Sequence, residues 1–169
     1  LPMIAGNFYG RPSEKLKMIG VTGTNGKTTV TYIIESILKE AGEEPGVIGT
    51  ISYRINGKAT PAKNTTPGPI DLAAMFADMV KASARYAVME VSSHALDQGR
   101  VNGIAFDTAI FTNITPEHLD YHKTLEEYFI AKKKIFAKLK KNGVAVINID
   151  DPMAASLKKS IKNKTITYG

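Results

Sequence analysis

The chain has 169 residues, 43% of them hydrophobic and 22% charged, with a formal net charge of +6; that suffices for one domain with its own core and is too apolar for a disordered chain. There is no cysteine, which excludes disulfides, thiolate metal sites and thiol nucleophiles, and fits a reducing compartment. No apolar run approaches the ~18 residues of a membrane span, and no basic start followed by an apolar stretch marks a secretory signal.

In chain order, Leu1–Pro12 reads as the tail of something upstream. Lys17–Thr22 is a short apolar run that predicts a strand, stopping in a glycine-bearing turn at Gly23–Gly26. A helical pattern follows from Thr28 to about Ala41, closed by Gly42. Val47–Ile55 is β-branched and partly alternating, and Asn56-Gly57 after it signals a hairpin. Pro69 to about Ala84 predicts a helix, with proline in its first turn and apolar residues at helical spacing. Tyr86–Val91, Ala109–Ile114 and Val144–Ile149 are buried-type strands, with a helix from about Thr124 to Leu139 between the last two. Asp151 or Pro152 opens another helix and Thr165–Tyr168 a final strand. Strands alternating with helices predict an α/β fold, a mostly parallel sheet flanked by helices. The positive charge is local: residues 132–169 hold ten basic and two acidic side chains. These lysines read as solvated helix faces; the alternative is a nucleic-acid surface, for which no aromatic stacking pattern is present.

Gly23-Thr24-Asn25-Gly26-Lys27-Thr28-Thr29 follows a strand and opens a helix, the context a phosphate loop needs. Its glycines let backbone N–H groups turn toward phosphate oxygens, and the helix N-terminus adds partial positive charge. Lys27 is placed to reach the β- and γ-phosphates and Thr28 to hold Mg²⁺ through its hydroxyl. The strict pattern has a glycine where Val21 stands, so this is a variant of the loop. Glu90 ends a predicted strand, at the sheet edge where open α/β folds bind ligands. A carboxylate there can share Mg²⁺ with Thr28, or be an ordinary solvated strand end. His118 lies among Glu117, Asp120 and His122; one loop cannot aim all four at one zinc ion, and Asp120 and His122 read as structural.

Lys132 interrupts a stripe. On a helix from Thr124 to Leu139, the residues Leu125, Tyr128, Phe129, Ile135, Phe136 and Leu139 share a face, and Lys132 falls near its middle. Either its stem snorkels along that face, or the amine is buried, loses its proton and becomes able to add CO₂ as a carbamate. Asn64, Thr65 and Thr66 form a polar loop that also reads as an ordinary helix entry. Ser93-His94 carries no nucleophile-elbow pattern, so hydrolase chemistry gains no support.

The segment IGVTGTNGKTT resembles the nucleotide loop of the Mur ligase family, a loop that folylpolyglutamate synthases and cyanophycin synthetases share. NTTP at Asn64–Pro67, EVSSHALDQGRV at Glu90–Val101 and NITPEHLDYH at Asn113–His122 resemble the branch that adds the third residue of the stem peptide to UDP-N-acetylmuramoyl-L-alanyl-D-glutamate. The resemblance covers nearly the whole chain. It implies a truncated central ATP-binding domain at 15–169, with 1–14 a linker from a preceding substrate domain. It implies ATP bound by Gly23, Thr24, Asn25, Gly26, Lys27, Thr28 and Thr29. Magnesium would be held by Thr28, Glu90, His118 and a carbamylated Lys132; Asn64, Thr65, Thr66, Ser92, Gln98 and Arg100 would contact the muramoyl-dipeptide. The implied reaction is ADP-forming amide synthesis through an acyl phosphate, with Lys27, Lys132, Glu90 and His118 as its catalytic residues. The implied setting is the bacterial cytoplasm and peptidoglycan synthesis. The implied partners are the UDP-muramoyl-dipeptide, an amino acid and further domains of the same polypeptide, in a monomer without nucleic acid. The piece alone is expected to bind nucleotide without turning over. The alternatives are another Mur-like ligase, of the folylpolyglutamate or cyanophycin synthetase type, and a plain phosphate-loop nucleotide-binding module.

Overall fold

The computed structural model describes residues 1–169. Eight strands form one sheet in the order β4-β3-β2-β5-β1-β6-β7-β8. They are β1 (Lys17–Thr22), β2 (Gly46–Ile48), β3 (Ser52–Ile55), β4 (Lys58–Pro61), β5 (Tyr86–Glu90), β6 (Phe106–Phe111), β7 (Leu139–Asn148) and β8 (Lys164–Tyr168). From β2 through β8 every neighbouring pair is parallel, and β3 and β4 add an antiparallel hairpin at one edge. Helices supply the crossovers: α2 (Lys27–Glu40), α3 (Pro69–Lys81), α6 (Leu125–Lys133) and α7 (Ala154–Lys159), with short α1 (Pro2–Phe8), α4 (Ser93–Asp97) and α5 (Leu119–His122). The core joins both faces of the sheet: Met18, Ile48, Met89 and Ala109 from strands, Leu72, Phe76 and Met79 from α3, and Tyr128, Phe129, Ile135 and Phe136 from the α6 region. This is the α/β arrangement the alternation predicts.

Four local differences from the sequence reading have physical causes. The run Val47–Ile55 is two strands, because the chain turns at Gly49–Ile51 and the Thr50 N–H bonds the Glu90 carboxylate (2.9 Å) instead of a neighbouring strand. The hairpin signal at Asn56-Gly57 therefore joins β3 to β4, both turn residues having positive φ (52° and 69°). The helix at Thr124 ends at Lys133, where Lys134 N and Ile135 N bond back only three residues, to Ala131 O and Lys132 O (both 3.2 Å). That tightening leads into a 3₁₀ turn at Phe136–Lys138, which keeps Ile135 and Phe136 buried and lets β7 start at Leu139, ahead of the expected Val144. The last helix starts at Ala154 instead of Asp151 or Pro152, because the Asp151 carboxylate accepts from Met153 N (2.9 Å) and Ile114 N (2.7 Å). Residues Pro2–Phe8, read as a tail, form a helix packed on α3.

Glu35 on the inner face of α2 ties that helix to the hairpin. Its carboxylate accepts from Arg54 Nε (2.9 and 3.0 Å) and lies 2.7 Å from Arg54 Nη2, while the guanidinium covers the Tyr32 ring at 4.1 Å. The strand β3, which follows the bend at Thr50, is thus tied to the middle of α2.

Candidate active site

The turn between β1 and α2 sits at the carboxyl ends of the parallel strands, between β5 and β6. No side chain caps α2, so its first-turn N–H groups have no intrahelical partner and face the loop. The loop is fixed from β6's exit: Asn25 N donates to Asn113 Oδ1 (2.9 Å), Asn113 Nδ2 returns to Asn25 O (3.1 Å), and Thr24 N donates to Asn113 O (2.8 Å). Gly23 has φ +150°, and a Cβ built there lands on the Thr112 hydroxyl. Gly23→Ala is expected to destabilise the chain by about 2–4 kcal/mol, from a clash added to backbone strain; a thermal melt unchanged from wild type would show that the loop can shift freely.

Lys27 Nζ folds back over the loop and donates to Gly23 O (3.0 Å) and Thr24 O (2.8 Å). Burial lowers its pKa, with the Glu90 and Glu117 carboxylates opposing that shift. Thr28 Oγ1 donates to Glu90 Oε1 at 2.9 Å. Glu90 is 1% exposed and forms no salt bridge; its carboxylate oxygens accept only from Thr28 and Thr50. A buried carboxylate with no direct ion pair, beside the hydroxyl at the helix start, is a hard-oxygen donor pair suited to Mg²⁺.

Lys132 is 2% exposed, so of the two readings left open by periodicity the structure takes burial. Its Nζ donates to Gly23 O at 2.7 Å and lies 4.2 Å from the centre of the Tyr128 ring. The same carbonyl therefore receives both lysines. Burial first, and then the Lys27 charge, bring the Lys132 pKa down to about 7. Tyr128 is pushed up to about 12, chiefly by burial, with its hydroxyl between Thr24 Oγ1 (3.3 Å) and Glu117 Oε2 (3.4 Å).

His118 caps α5 with φ 56°. Its imidazole is half-exposed, 3.7 Å from Glu117 Oε2, and edges onto the His94 ring at 4.8 Å. It hydrogen-bonds none of the loop residues and meets the Lys132 side only through Tyr128, with ring centres 6.1 Å apart. His122 is buried and bonds Ser93 Oγ at 3.0 Å, while His94 packs on Tyr121 at 4.4 Å. Burial lowers the pKa of both His94 and His122.

The polar loop before α3 joins the same network. Thr66 Oγ1 donates to Glu90 O (2.9 Å) and accepts from Ser92 N (3.0 Å). Arg100 Nη1 donates to Thr66 O (2.9 Å) and its Nε to Gln98 Oε1 (2.8 Å). Thr65 meets Thr50 at 3.0 Å, and Asn64 is held through its backbone by the Tyr53 hydroxyl (2.7 and 3.0 Å). Sequence reasoning missed Thr50, Glu117 and Tyr128. Tyr128 reads only as a core member of its stripe, and Thr50 sits inside a run that looks like uninterrupted strand. Of the basic residues after 131, Lys134 pairs with Asp97 (2.6 Å) and Lys140 with Asp107 (2.7 Å), as members of a mixed-charge surface.

A mostly parallel sheet with a glycine-bearing turn at its β1–α2 junction and a buried acid one strand away is an α/β domain of the kind that takes ligands at the carboxyl ends of its strands. The sequence pattern of the Mur ligase middle domain matches residues 21–169, and the chain belongs to that family. It is 48% identical to the UDP-N-acetylmuramoyl-L-alanyl-D-glutamate–2,6-diaminopimelate ligase of Halalkalibacterium halodurans, over 100% of this chain and 35% of that protein. It is 50% identical to the enzyme of the same name from Clostridium tetani, over 99% of this chain and 34% of that one. The chain thus spans about a third of the length of these relatives. A solved structure of a UDP-N-acetylmuramoyl-L-alanyl-D-glutamate–2,6-diaminopimelate ligase superimposes with a TM-score of 0.81 at 32% identity, covering 99% of this chain and 37% of that one. The Mycobacterium tuberculosis folylpolyglutamate synthase complexed with ADP and AMPPCP shares the fold, with a TM-score of 0.75 at 18% identity, over 98% of this chain and 46% of that one. No helix is long and apolar enough to cross a membrane.

Proposed function

We propose that the chain is the ATP-binding part, residues 15–169, of a ligase that adds the third stem-peptide amino acid to UDP-N-acetylmuramoyl-L-alanyl-D-glutamate in the bacterial cytoplasm, residues 1–14 leading in from a substrate domain. The observation that carries this reading is the continuity between Glu90 and two sets of groups. Its side chain is bonded to Thr28 of the phosphate loop, and its backbone carbonyl to Thr66, which is bonded in turn to Ser92 and Arg100. That the relatives are 2,6-diaminopimelate ligases favours diaminopimelate as the incoming amino acid.

In this reading the loop residues Gly23–Thr29 hold the ATP phosphates, with Lys27 leaving the loop carbonyls to offset charge on the γ-phosphate. Thr28 and Glu90 would hold one Mg²⁺, and His118 with carbamylated Lys132 a second. When bound, Mg²⁺ supplies charge neutralisation at the phosphate oxygens. Thr65, Thr66, Ser92, Gln98, Arg100 and Asn64 orient the muramoyl-dipeptide, whose D-glutamyl carboxylate attacks the γ-phosphorus and displaces ADP. The amine of the incoming amino acid then attacks the acyl carbon and expels phosphate, losing one proton as the amide forms. Arg100 suits an anionic substrate group because its fork engages two oxygens at once.

Calorimetric titration of UDP-N-acetylmuramoyl-L-alanyl-D-glutamate into the chain loaded with a non-hydrolysable ATP analogue and Mg²⁺ tests this. Saturable binding weakened at least about tenfold by Arg100→Ala is expected, the cost of removing a charge-assisted contact. Nucleotide binding with no response to the muramoyl-dipeptide would reduce the chain to a simple nucleotide-binding module.

A further inference from the structure

Thr50 lies in the bend between β2 and β3, in a stretch that sequence reasoning takes as strand, and it reaches Glu90 twice. Its N–H donates to Oε1 and its hydroxyl to Oε2, both at 2.9 Å. The approach depends on the residue before it: a Cβ at Gly49 would stand 2.5 Å from Glu90 Oε1. Thr50 is therefore the only group bonded to both carboxylate oxygens, since Thr28 reaches Oε1 alone. Its hydroxyl also lies 3.0 Å from Thr65 Oγ1. A hydroxyl has one proton, and that of Thr50 is committed to Glu90, so Thr65 must be the donor in the second contact. The result is a directed chain, from the Thr65 hydroxyl to the Thr50 hydroxyl to the Glu90 carboxylate.

We propose that Thr50 is a positioning residue that fixes the Glu90 carboxylate for Mg²⁺ and couples it to Thr65 of the substrate loop. The inference rests on the proposed metal role of Glu90. Without the Thr50 hydroxyl the carboxylate keeps the Thr28 hydroxyl and the residue-50 N–H, both on Oε1, and its Oε2 is left without a donor. With Thr50 present, the Thr65 proton is spent inside the network, and Thr65 offers acceptor lone pairs to a ligand. Any group that takes over Glu90 Oε2 releases the Thr50 proton to turn toward Thr65, and Thr65 then becomes a donor suited to a carboxylate or phosphate. Loading at Glu90 and the polarity of the substrate loop are linked by the rotation of two hydroxyls.

The test measures ADP affinity by calorimetry with Mg²⁺ and with excess EDTA, in wild type, Thr50→Val, Thr50→Ser, Thr65→Val and the Thr50→Val/Thr65→Val double variant. The expected result is that Thr50→Val cuts the Mg²⁺-dependent gain by roughly ten- to a hundredfold, the range for a hydrogen bond to a charged group, and leaves the affinity in EDTA unchanged. Thr50→Ser restores the gain. Thr65→Val gives a smaller loss, and the double variant loses no more than Thr50→Val, because both changes cut one chain. A full wild-type gain in Thr50→Val, a serine variant that behaves like valine, or additive losses would each overturn the proposal while leaving the metal role of Glu90 standing. No Mg²⁺-dependent gain in wild type would overturn both. Thr50 is exposed, so folding should survive; Thr50→Ala, read in the same way, replaces the valine variant if it does not fold.

Discussion

Lys132→Met is expected to make the chain more stable while removing its proposed second metal ligand. The amine is buried, has no carboxylate partner, and shares Gly23 O with a second ammonium group. Methionine has nearly the same length and suits the apolar surroundings of Tyr128, and Gly23 O keeps its bond from Lys27. Replacing an unfavourable buried charge by a packed apolar side chain yields about 1–4 kcal/mol, which for a domain of this size raises Tm by about 2–4 °C per kcal/mol. The gain depends on pH. With a pKa of about 7 in the fold against 10.5 for an unperturbed lysine, the folded chain binds fewer protons than the unfolded chain between those values. Wild-type stability therefore rises with pH across that window, and the full penalty applies below it. Melts at pH 6 should separate the two proteins most, and melts near pH 10 least. A difference independent of pH, or a less stable methionine variant, would show that Lys132 is favourably placed as a cation. The same lowered pKa makes the amine available for CO₂ near neutrality. Intact mass of native wild-type protein in bicarbonate should show one added CO₂ that Lys132→Met lacks.

Lys27→Ala should weaken ATP-analogue binding by about ten- to a hundredfold, because it deletes the cation of the loop, a charged contact to phosphate in a partly buried site. The loop itself should persist, since Asn25, Thr24 and Asn113 fix it without the lysine. A second readout distinguishes this from general damage. The Lys27 charge contributes to the low pKa of Lys132, so its removal should move that pKa upward and shift the pH dependence of stability to higher pH. Unchanged nucleotide affinity would remove Lys27 from the proposed site.

Much of this was readable in the residues because the signals are local. The loop proposed to hold phosphate is marked by the turn-forming glycines and the lysine–threonine pair between an apolar run and a helical pattern, and β1 and α2 lie within a residue of where that pattern puts them. Lys132 was visible as a polar residue on an apolar stripe, and the helix's early end did not matter, because the 3₁₀ turn keeps the stripe buried. What could not be read depends on partners distant in sequence. Nothing in Val47–Ile55 says that the Thr50 N–H will serve a carboxylate forty residues later, so the break between β2 and β3 was hidden. The short helices α4 and α5 are set by the Ser92 cap and by the Ser93–His122 bond, contacts too local or too remote for periodicity to register. Membership of the family followed from the motifs; which groups actually touch Glu90 required the fold.

The place of β1 at the centre of the sheet has a kinetic consequence. Ile19 pairs with Val88 on one side and with Thr108 on the other, so the first strand of this sheet in chain order waits for most of the domain before either flank closes. The β3–β4 hairpin can zip early, but Met18 and Val21, both fully buried in the finished fold, remain without their sheet neighbours through that interval. Parallel pairings at such separations make for slow folding and a long exposure of sticky surface. The chain should accordingly refold without a fast early phase at β1, and the β1 segment is the stretch whose apolar side chains stay longest without cover.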